Sequence, residues 1–502
     1  MSVHRIMGIE TEFGIASPGN PSANPMIMSS QVVNAYADLT MPNRIKRMRW
    51  DYDVESPLRD ARGFDMSRAD ADPSQLTNED YGMANVVLSN GARFYVDHAH
   101  PEYSSPEVTN PLDCALWDAA GDRIMQISAE HASKLTGELF TAYKNNTDGK
   151  GVSYGTHENY QLDRATPFGR IVEYLTPFFV TRSVFAGAGR VGLGQESLRP
   201  GFQISQRADF FEAEIGLETT LRRPIINTRD EPHADPDKFR RLHVIVGDAN
   251  MSHFANYLKL GTTALVLSMI EDDYLKVDLQ LHDPVSNMHM VSHDYEFKEK
   301  LTKRNGQQIS ALDIQETFIE HAEKYVVERE KNDPMTMDVL ANWRRVIDTL
   351  RTDPMSLSNE LDWVAKYSIM DAYRKRDSAL WNDPRIETVD IQYADLRPSK
   401  GLALTLQAKG RLKTMFTKEQ IESAIINPPN DTRAFFRGNC VSAYEEQIAA
   451  ASWDSIIFDF GITEPMVRLN TVDARKGTKE LTGFLFEKKL SAQEFVATLT
   501  GN

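Results

Sequence analysis

Two predicted β-strands in the N-terminal part of the chain carry charged side chains that could act together. The first strand contributes Glu10 and Glu12, and the second contributes Arg93, Tyr95 and Asp97. Side chains two positions apart lie on the same face of a strand. The opposite positions include Ile9 and Phe13 in the first strand and Phe94 and Val96 in the second, as in a sheet with one buried and one polar face. Carboxylates and an arginine on such a face could bind a divalent metal together with phosphate.

Further predicted strands add candidate metal ligands. Glu102 lies just after the second strand, His157 lies on a third strand and His243 on a fourth. Together with Glu10, they supply the mixed oxygen and nitrogen ligands that magnesium or manganese accepts beside nucleotide phosphates. The alternative is that both histidines are structural residues with satisfied hydrogen bonds.

The composition is acidic, with one local basic cluster. The 502 residues include 56 Lys and Arg against 72 Asp and Glu, a formal net charge of −16, which argues against nucleic-acid binding through a broadly positive surface. Four arginines close together in the sequence could nevertheless form an anion-binding groove, or could be an ordinary solvated surface. They are Arg222, Arg223, Arg229 and Arg241.

The sequence also bears on the compartment. The first ten residues reach a carboxylate before any long apolar run, so we expect no signal peptide. No window approaches the roughly 20 apolar residues of a membrane helix. Cys114 and Cys440 are far apart and lack metal-ligand spacing, which favours a reduced, cytoplasmic protein.

A glycine-rich stretch at 187–192, followed by Glu212, has the spacing of a dinucleotide-binding fingerprint. That fingerprint requires a preceding strand and a helix that starts at its last glycine. Here Gly194 and polar residues follow instead. We therefore interpret the stretch as a loop.

The organisation along the chain is read from periodicity and turn signals. Asn110 and Pro111 are predicted to open a long helix. A stretch from about 42 to 80 mixes both charge signs without a sustained period, and we expect a mobile insertion there. Helices are predicted within 311–348 and 358–375, a strand at 386–396, and a linker at 427–430. This divides the chain into a domain of residues 1–430 and a small C-terminal domain of residues 431–502.

Three strings, at 5–14, 91–103 and 223–233, resemble the family of enzymes that act on Pup, the prokaryotic ubiquitin-like protein. The likeness extends over essentially the whole chain. It implies an α+β fold shared with glutamine synthetase and the carboxylate–amine ligases. In that fold a large curved antiparallel β-sheet is backed by helices, and a small C-terminal domain contributes to the nucleotide site.

The family has two members of opposite effect. One ligates the C-terminal glutamate of Pup to lysine side chains. The other deamidates a C-terminal glutamine of Pup and cleaves the Pup–lysine isopeptide bond. The N-terminal sequence, the string Val96-Asp97-His98-Ala99-His100 and the insertion favour the hydrolase. The alternatives are the ligase, a non-catalytic Pup-binding regulator and, more distantly, a small-molecule glutamate ligase.

Residue by residue, the resemblance implies cofactor sites for Mg²⁺ and ATP. The implied magnesium ligands are Glu10, Tyr95 and Glu102, and the implied ATP contacts are Arg93, Ser105 and Trp453. Ser105 stands where the family usually has threonine, which keeps the hydroxyl. His157 and His243 are our additional candidates for metal ligands.

Asp97 is the predicted catalytic residue. An amide carbonyl is a poor electrophile, so the site must supply a nucleophile or activate a water, and Asp97 could do either. The alternative is that Asp97 only forms an ion pair with Arg93. Expected partners are Pup, whose flexible acidic C-terminus the arginine groove would receive, and pupylated proteins, with the proteasomal ATPase ring as a further candidate.

Overall fold

The computed structural model describes residues 2–41, 48–53, 55–67 and 84–501. Within them we number the strands β1 Met7–Glu12, β2 Gly14–Ala16, β3 Arg49–Trp50, β4 Arg59–Asp60, β5 Phe64–Asp65, β6 Asn85–Val87, β7 Arg93–Asp97, β8 His100–Ser104, β9 Thr141–Tyr143, β10 Thr156–Asp163, β11 Arg190–Leu193, β12 Arg199–Gln203, β13 Phe211–Gly216, β14 Arg223–Asn227, β15 Phe239–Gly247, β16 Leu301–Thr302, β17 Gln308–Ile309, β18 Ile448–Ala451, β19 Ser455–Phe458 and β20 Val467–Asn470. The helices are α1 Pro25–Thr40, α2 Pro111–Thr136, α3 Phe168–Ala186, α4 His253–Glu271, α5 Pro284–His293, α6 Ala311–Glu328, α7 Pro334–Thr352, α8 Asp362–Asp377, α9 Pro384–Tyr393, α10 Leu402–Ala408, α11 Lys418–Ile426, α12 Ala434–Tyr444, α13 Lys479–Glu487 and α14 Ala492–Thr500.

A six-stranded sheet organises the molecule. Its strand order is β15-β10-β1-β8-β7-β6, and every neighbouring pair is antiparallel. Alternate residues such as Ile9, Phe94 and Tyr160 are buried on one face, where α1, α2 and α4 pack. This confirms the predicted α+β class, an antiparallel sheet backed by helices, and it leaves the opposite face for polar side chains.

The long helix α2 packs closely against the sheet. Asn110 accepts a hydrogen bond from the backbone N–H of Asp113, and Pro111 occupies the first turn, which confirms the predicted start of the helix. Gly121 faces the ring of Tyr103 on β8, and a Cβ at this position would lie 2.3 Å from Tyr103 Cδ1. Only glycine therefore permits this close approach of helix and sheet.

The prediction of a strand at 386–396 is wrong, because the structure has helix α9 there. Asp383 accepts a hydrogen bond from the backbone N–H of Arg385, with a proline in the first turn. Ile386, Val389 and Tyr393 are buried at helical spacing. β-Branched and aromatic side chains are common in strands, but here the cap and the packing determine a helix.

A second hydrophobic core lies in the C-terminal segment, residues 431–501, and includes Phe436, Phe458 and Phe495. Strands β18, β19 and β20 form a small sheet, to which β3 adds in parallel. The indole of Trp50 on β3 belongs to the same core. The insertion predicted at 42–80 lies outside the described residues at 42–47, 54 and 68–80, whereas its described part forms β3 and the hairpin of β4 and β5. No helix in the described ranges is long and apolar enough to cross a membrane.

Candidate active site

The register of the six-stranded sheet brings the predicted site residues together on its polar face. In one row, Glu10 pairs with His157 of β10 on one side and with Ser104 of β8 on the other. In the next row, Glu12 pairs with Glu102, which pairs in turn with Tyr95 of β7. Directly opposed side chains in antiparallel strands have Cβ atoms about 5 Å apart. Residues distant in sequence therefore form one continuous polar surface.

Glu10, His157 and His243 form the first group that could hold a metal, with one ligand atom from each within 4.8 Å of the others. His157 Nδ1 lies 3.3 Å from Glu10 Oε2, and Asn159 Nδ2 donates to Glu10 Oε1 over 2.9 Å. Burial and the charge of Arg241 hold the pKa of His243 well below its usual range. This keeps the imidazole neutral, the form that binds a metal.

Glu12, Asp97 and Glu102 form a second such group, again within 4.8 Å. Burial, together with the charges of Asp97, Glu10 and Glu12, raises the pKa of Glu102 well above its usual range. Tyr95 Oη donates to Glu102 Oε1 over 2.7 Å, so the two residues predicted as ligands are in contact. Crowded carboxylates repel one another unless cations lie between them, and this donor set therefore fits hard divalent cations such as Mg²⁺.

Asp97 lies at the end of β7 and forms an ion pair with the next residue. His98 Nδ1 lies 2.9 Å from Asp97 Oδ1, and this hydrogen bond with the carboxylate's charge raises the pKa of His98 to about 9. Burial acts to raise the pKa of Asp97, but the bond from His98 and its charge lower the pKa below its ordinary value. Asp97 is thus a carboxylate at neutral pH, and its ion-pair partner is His98 rather than Arg93.

The guanidinium of Arg93 is held between aromatic rings. Its Cζ lies 4.0 Å from the ring centroid of Trp50 and 3.8 Å from that of Tyr95. Arg93 Nε donates to Asn85 Oδ1 over 3.2 Å, and Nη2 donates to Tyr52 Oη over 3.3 Å. These cation–π and hydrogen-bond contacts fix the positive charge beside the two groups of candidate metal ligands.

Two adjoining cavities lie on the polar face of the sheet: the first is lined by the candidate metal ligands, and the second shares part of its wall. Ile6, Pro232 and Ala474 supply apolar parts of the wall of the second cavity, which shares Glu10 and other lining residues with the first cavity. The shared residues also include Ser104, His233, Arg241 and Trp453. A few polar groups set among apolar walls are typical of small-molecule sites, and they are the lining expected of a nucleotide cleft.

Ser105 and Trp453, the two remaining predicted ATP contacts, both line this second cavity. Ser105 Oγ accepts a hydrogen bond from the backbone N–H of Ile9 over 3.0 Å and donates to the carbonyl of Pro106 over 3.2 Å. The hydroxyl thus fixes β1 against the segment after β8. Trp453 comes from the turn between β18 and β19, so the C-terminal segment forms part of the cleft wall.

The four clustered arginines separate into two pairs. Arg229 and Arg241 line the cavity with the metal-binding groups, where Arg241 Nε donates to the carbonyl of Glu231 over 2.6 Å. Arg223 instead donates to the carbonyls of Thr219 and Ser153. Arg222 is exposed, with a left-handed φ of 46°. Only the first pair thus lines the candidate site.

Several residues of the site were not among the predicted ligands or contacts. The second carboxylate group needs Glu12, whose place on the polar face of β1 was visible in the alternation. Other side chains line the site only through tertiary packing, and no local signal identified them: Trp50, Tyr52, Glu55, His98, Glu231 and His233.

We expect His157→Ala and His243→Ala each to weaken the binding of Mn²⁺, used as a probe, by about tenfold or more, because each removes an imidazole nitrogen from the first group. Isothermal titration calorimetry measures this directly. His282→Ala is the matched control, since His282 is exposed and lies outside both cavities. Unchanged Mn²⁺ affinity in both site variants would show that the two histidines are structural.

Comparison with known proteins places these features in a family. A family model described as Pup-ligase protein matches residues 5–457. A depupylase of Acidothermus cellulolyticus is 55% identical over 502 residues, covering 99% of this chain and 100% of the relative. A Pup deamidase/depupylase of Mycolicibacterium smegmatis is 49% identical, covering 99% of this chain and 100% of the relative. A Pup–protein ligase of Acidimicrobium ferrooxidans is 41% identical and covers 72% of this chain and 81% of the relative.

Two solved structures of a Pup ligase are also similar to this chain. The Pup ligase PafA in its complex with Pup superposes with a TM-score of 0.80 at 30% identity, covering 99% of this chain and 95% of that chain. The Pup ligase PafA in complex with ADP superposes with a TM-score of 0.74 at 32% identity, covering 90% of this chain and 99% of that chain. The sheet, its helical layer and the C-terminal segment are thus an arrangement common to these proteins.

Proposed function

The chain belongs to the Pup-ligase protein family, and on this premise we propose that it acts as a hydrolase on Pup. It deamidates the C-terminal glutamine of Pup to glutamate, and it cleaves the isopeptide bond between Pup and lysine side chains. Two relatives named for depupylation align over 99% of the chain, whereas the ligase relative aligns over 72%. The two depupylation relatives are also more similar in sequence, with 55% and 49% identity against 41% for the ligase relative, and the sequence match therefore favours the hydrolase over the ligase.

The observation that carries the mechanism is the position of Asp97 on the polar face of the sheet, with one oxygen each from Asp97, Glu12 and Glu102 within 4.8 Å of one another. Hydrolysis of an amide needs an attacking group and stabilisation of the oxyanion that follows. Asp97 either attacks the carbonyl carbon or accepts a proton from the attacking water. Arg93, fixed between Trp50 and Tyr95, adds positive charge beside the reacting centre.

We propose ATP and Mg²⁺ as the cofactors, supported by the ADP complex of a relative and by the chemistry of the donor set. Glu10, His157 and His243 would hold one ion, and Glu102 with Tyr95 would contribute to a second. Bound cations would polarise the carbonyl and offset the negative charge of the intermediate. Amide hydrolysis is downhill, so the nucleotide need not be consumed in each turnover.

Residues 431–502 are proposed as a small C-terminal domain that contributes to the nucleotide site, with residues 1–430 as the catalytic domain. Trp453 and Ser105 would contact the nucleotide from opposite sides of this division. We further propose pupylated proteins as substrates, the proteasomal ATPase ring as a partner, and the cytoplasm as the location.

For the substrate groove we expect Arg229→Glu to weaken Pup binding by about tenfold at low salt. Arg229 lines the cavity, and an acidic Pup C-terminus would meet reversed charge there. Salt screens the attraction between the acidic Pup C-terminus and the positive charge of the cavity. The effect should therefore shrink between 50 mM and 500 mM salt, a range over which the Debye length falls from above about 10 Å to well below it. Fluorescence anisotropy of labelled Pup measures the affinity.

Arg222→Glu is the matched control, because Arg222 is exposed and lies outside both cavities. It makes the same change of charge in the same part of the sequence. Equal losses in the two variants would show a general charge effect, and an unchanged affinity in Arg229→Glu would move the groove elsewhere.

The direct test follows Pup ending in glutamine by mass spectrometry, with Mg²⁺, ATP and a lysine-bearing target, while ADP release is recorded in parallel. Conversion of the terminal amide to the acid without matching ATP turnover is the expected result. Conjugates formed from the glutamate form with stoichiometric ADP would show the ligase. Pup binding with neither reaction would show a non-catalytic regulator.

A further inference from the structure

We infer that Arg433, in the C-terminal segment, is a nucleotide-binding residue held in place by Glu107 and Arg437. This inference rests on the proposed function, since it concerns the nucleotide cleft. Arg433 and Glu107 both line that cleft, close to Ser105 and Trp453. The two residues lie 326 positions apart in the sequence.

The hydrogen bonds of Arg433 leave one side of its guanidinium available. Nε donates to Glu107 Oε1 over 2.5 Å. Nη1 donates to the carbonyls of Thr471 and Val472 over 2.9 Å and 3.1 Å. Within the part of the chain that the structure describes, Nη2 has no hydrogen-bond acceptor, and it is not among the buried unpaired atoms. A guanidinium that lines a cleft with a free donor can bind an acceptor atom of the ligand.

The charge of the cluster favours an anionic ligand. Arg437 also binds the carboxylate of Glu107, so two guanidinium groups share one carboxylate. Among the described residues, Glu107 is the acidic side chain within ion-pair distance of either arginine. All three side chains are buried, and the cluster therefore keeps one uncompensated positive charge at the cleft wall. An adenosine nucleotide, with its phosphates and ring nitrogens, supplies the matching acceptors.

Glu107 acts as a positioning residue. Burial acts to raise the pKa of Glu107, but the charges of Arg437 and Arg433 lower the pKa to about 2. The carboxylate is therefore ionised at neutral pH. Thr432 Oγ1 also donates to the backbone carbonyl of Glu107 over 2.7 Å, which fixes the start of α12 against the sheet.

Glu107, Arg433 and Arg437 together form what we call the clamp, and Arg437 connects the clamp to Trp453. Its Nη1 donates to the carbonyl of Trp453 over 2.8 Å, and its Cζ lies 5.0 Å from the centroid of the indole ring. It also donates twice to the carbonyl of Gly91, two residues before Arg93. The clamp thus joins the nucleotide cleft wall to the beginning of the catalytic strand β7.

The test measures ADP affinity by calorimetry for the full chain, its Arg433→Met and Arg433→Lys variants, and Lys476→Met. Lys476 is exposed in the same segment, so its variant is a control for loss of one positive charge. We expect both Arg433 variants to lose tenfold or more in ADP affinity, and Lys476→Met to match the wild type. Lysine keeps the charge without the fork of donors, and it supports folding if methionine does not.

Glu107→Gln separates positioning from a general structural role. We expect weaker ADP binding and a higher KM for ATP, with a smaller change in kcat at saturating nucleotide. Wild-type ADP affinity retained in Arg433→Lys or Arg433→Met would overturn the inference and leave the proposed function intact. A wild-type protein that binds no ADP would overturn both.

Discussion

Asp97→Asn is expected to reduce the rate of Pup deamidation by about 10²–10⁴-fold, the usual contribution of a positioned general base, and by more if Asp97 is the nucleophile. Asparagine has nearly the same shape but cannot accept a proton or attack as an anion. The Asp97→Asn substitution leaves the contacts of Arg93 in place, and Asp97 does not line the proposed nucleotide cleft. The ADP affinity should therefore stay within about threefold of wild type. Mass spectrometry of Pup gives the rate, and calorimetry gives the affinity.

Two controls make this result specific. Asp237→Asn makes the same substitution at an exposed aspartate outside both cavities and should have wild-type activity. Because Asp97 also belongs to the second carboxylate group, Mn²⁺ binding is measured in each variant. Retained deamidation by Asp97→Asn would remove Asp97 from the chemistry. Lost activity with a parallel loss of Mn²⁺ affinity would instead assign it a role as a metal ligand.

The polar face of the sheet was predictable because strand alternation is a local property. Glu10, Tyr95 and Glu102 lie on three different strands, each at a position whose neighbours in the chain are buried on the opposite face. His157 could be placed in the same way, and the register then brings it opposite Glu10. Local pattern therefore identifies which residues share a face, but only the pairing of strands decides which of them meet.

The aromatic residues around Arg93 show what local pattern misses. Trp50 and Tyr52 lie in a stretch of mixed charge without periodicity, which gave no reason to assign them a role. Trp50 nevertheless packs with its ring centroid 5.3 Å from that of Trp453, and it stacks on Arg93. The short strand β3 reaches this place by pairing with β18, about 400 residues later in the chain. Such a long-range pairing leaves no signal in either short segment.

The clamp around Glu107 is a similar case of long-range packing. A glutamate after a strand and two arginines one helical turn apart are each ordinary surface residues by composition. Their burial against one another follows from the docking of α12 near Gly91. The family resemblance identified Trp453 but not the charged residues that hold it, because a resemblance transfers only the positions it includes.

The opposite, buried face of the sheet also contains charges, and they hold the strands that bear the site. Glu158 lies on β10 between His157 and Asn159, both of which line the candidate site on the polar face. Its carboxylate receives two hydrogen bonds of 2.7 Å from Arg182 of α3, and Tyr160 Oη donates a third of 2.7 Å. Arg182 Nη1 also donates to Thr263 Oγ1 of α4 over 2.8 Å. One ion pair thus ties the strand that bears His157 to two helices.

Arg182→Met is expected to lower the free energy of unfolding by about 3–5 kcal/mol, because it leaves Glu158 as a buried charge without its bidentate partner. The side chains of Glu158 and Arg182 are 0% and 3% exposed, so solvent cannot replace the lost bonds. Urea denaturation measures the loss as a lower transition midpoint. The double variant Glu158→Met with Arg182→Met removes both charges and should recover much of the stability. A double variant as unstable as Arg182→Met would show that shape at this position, rather than the unpaired charge, determines the cost.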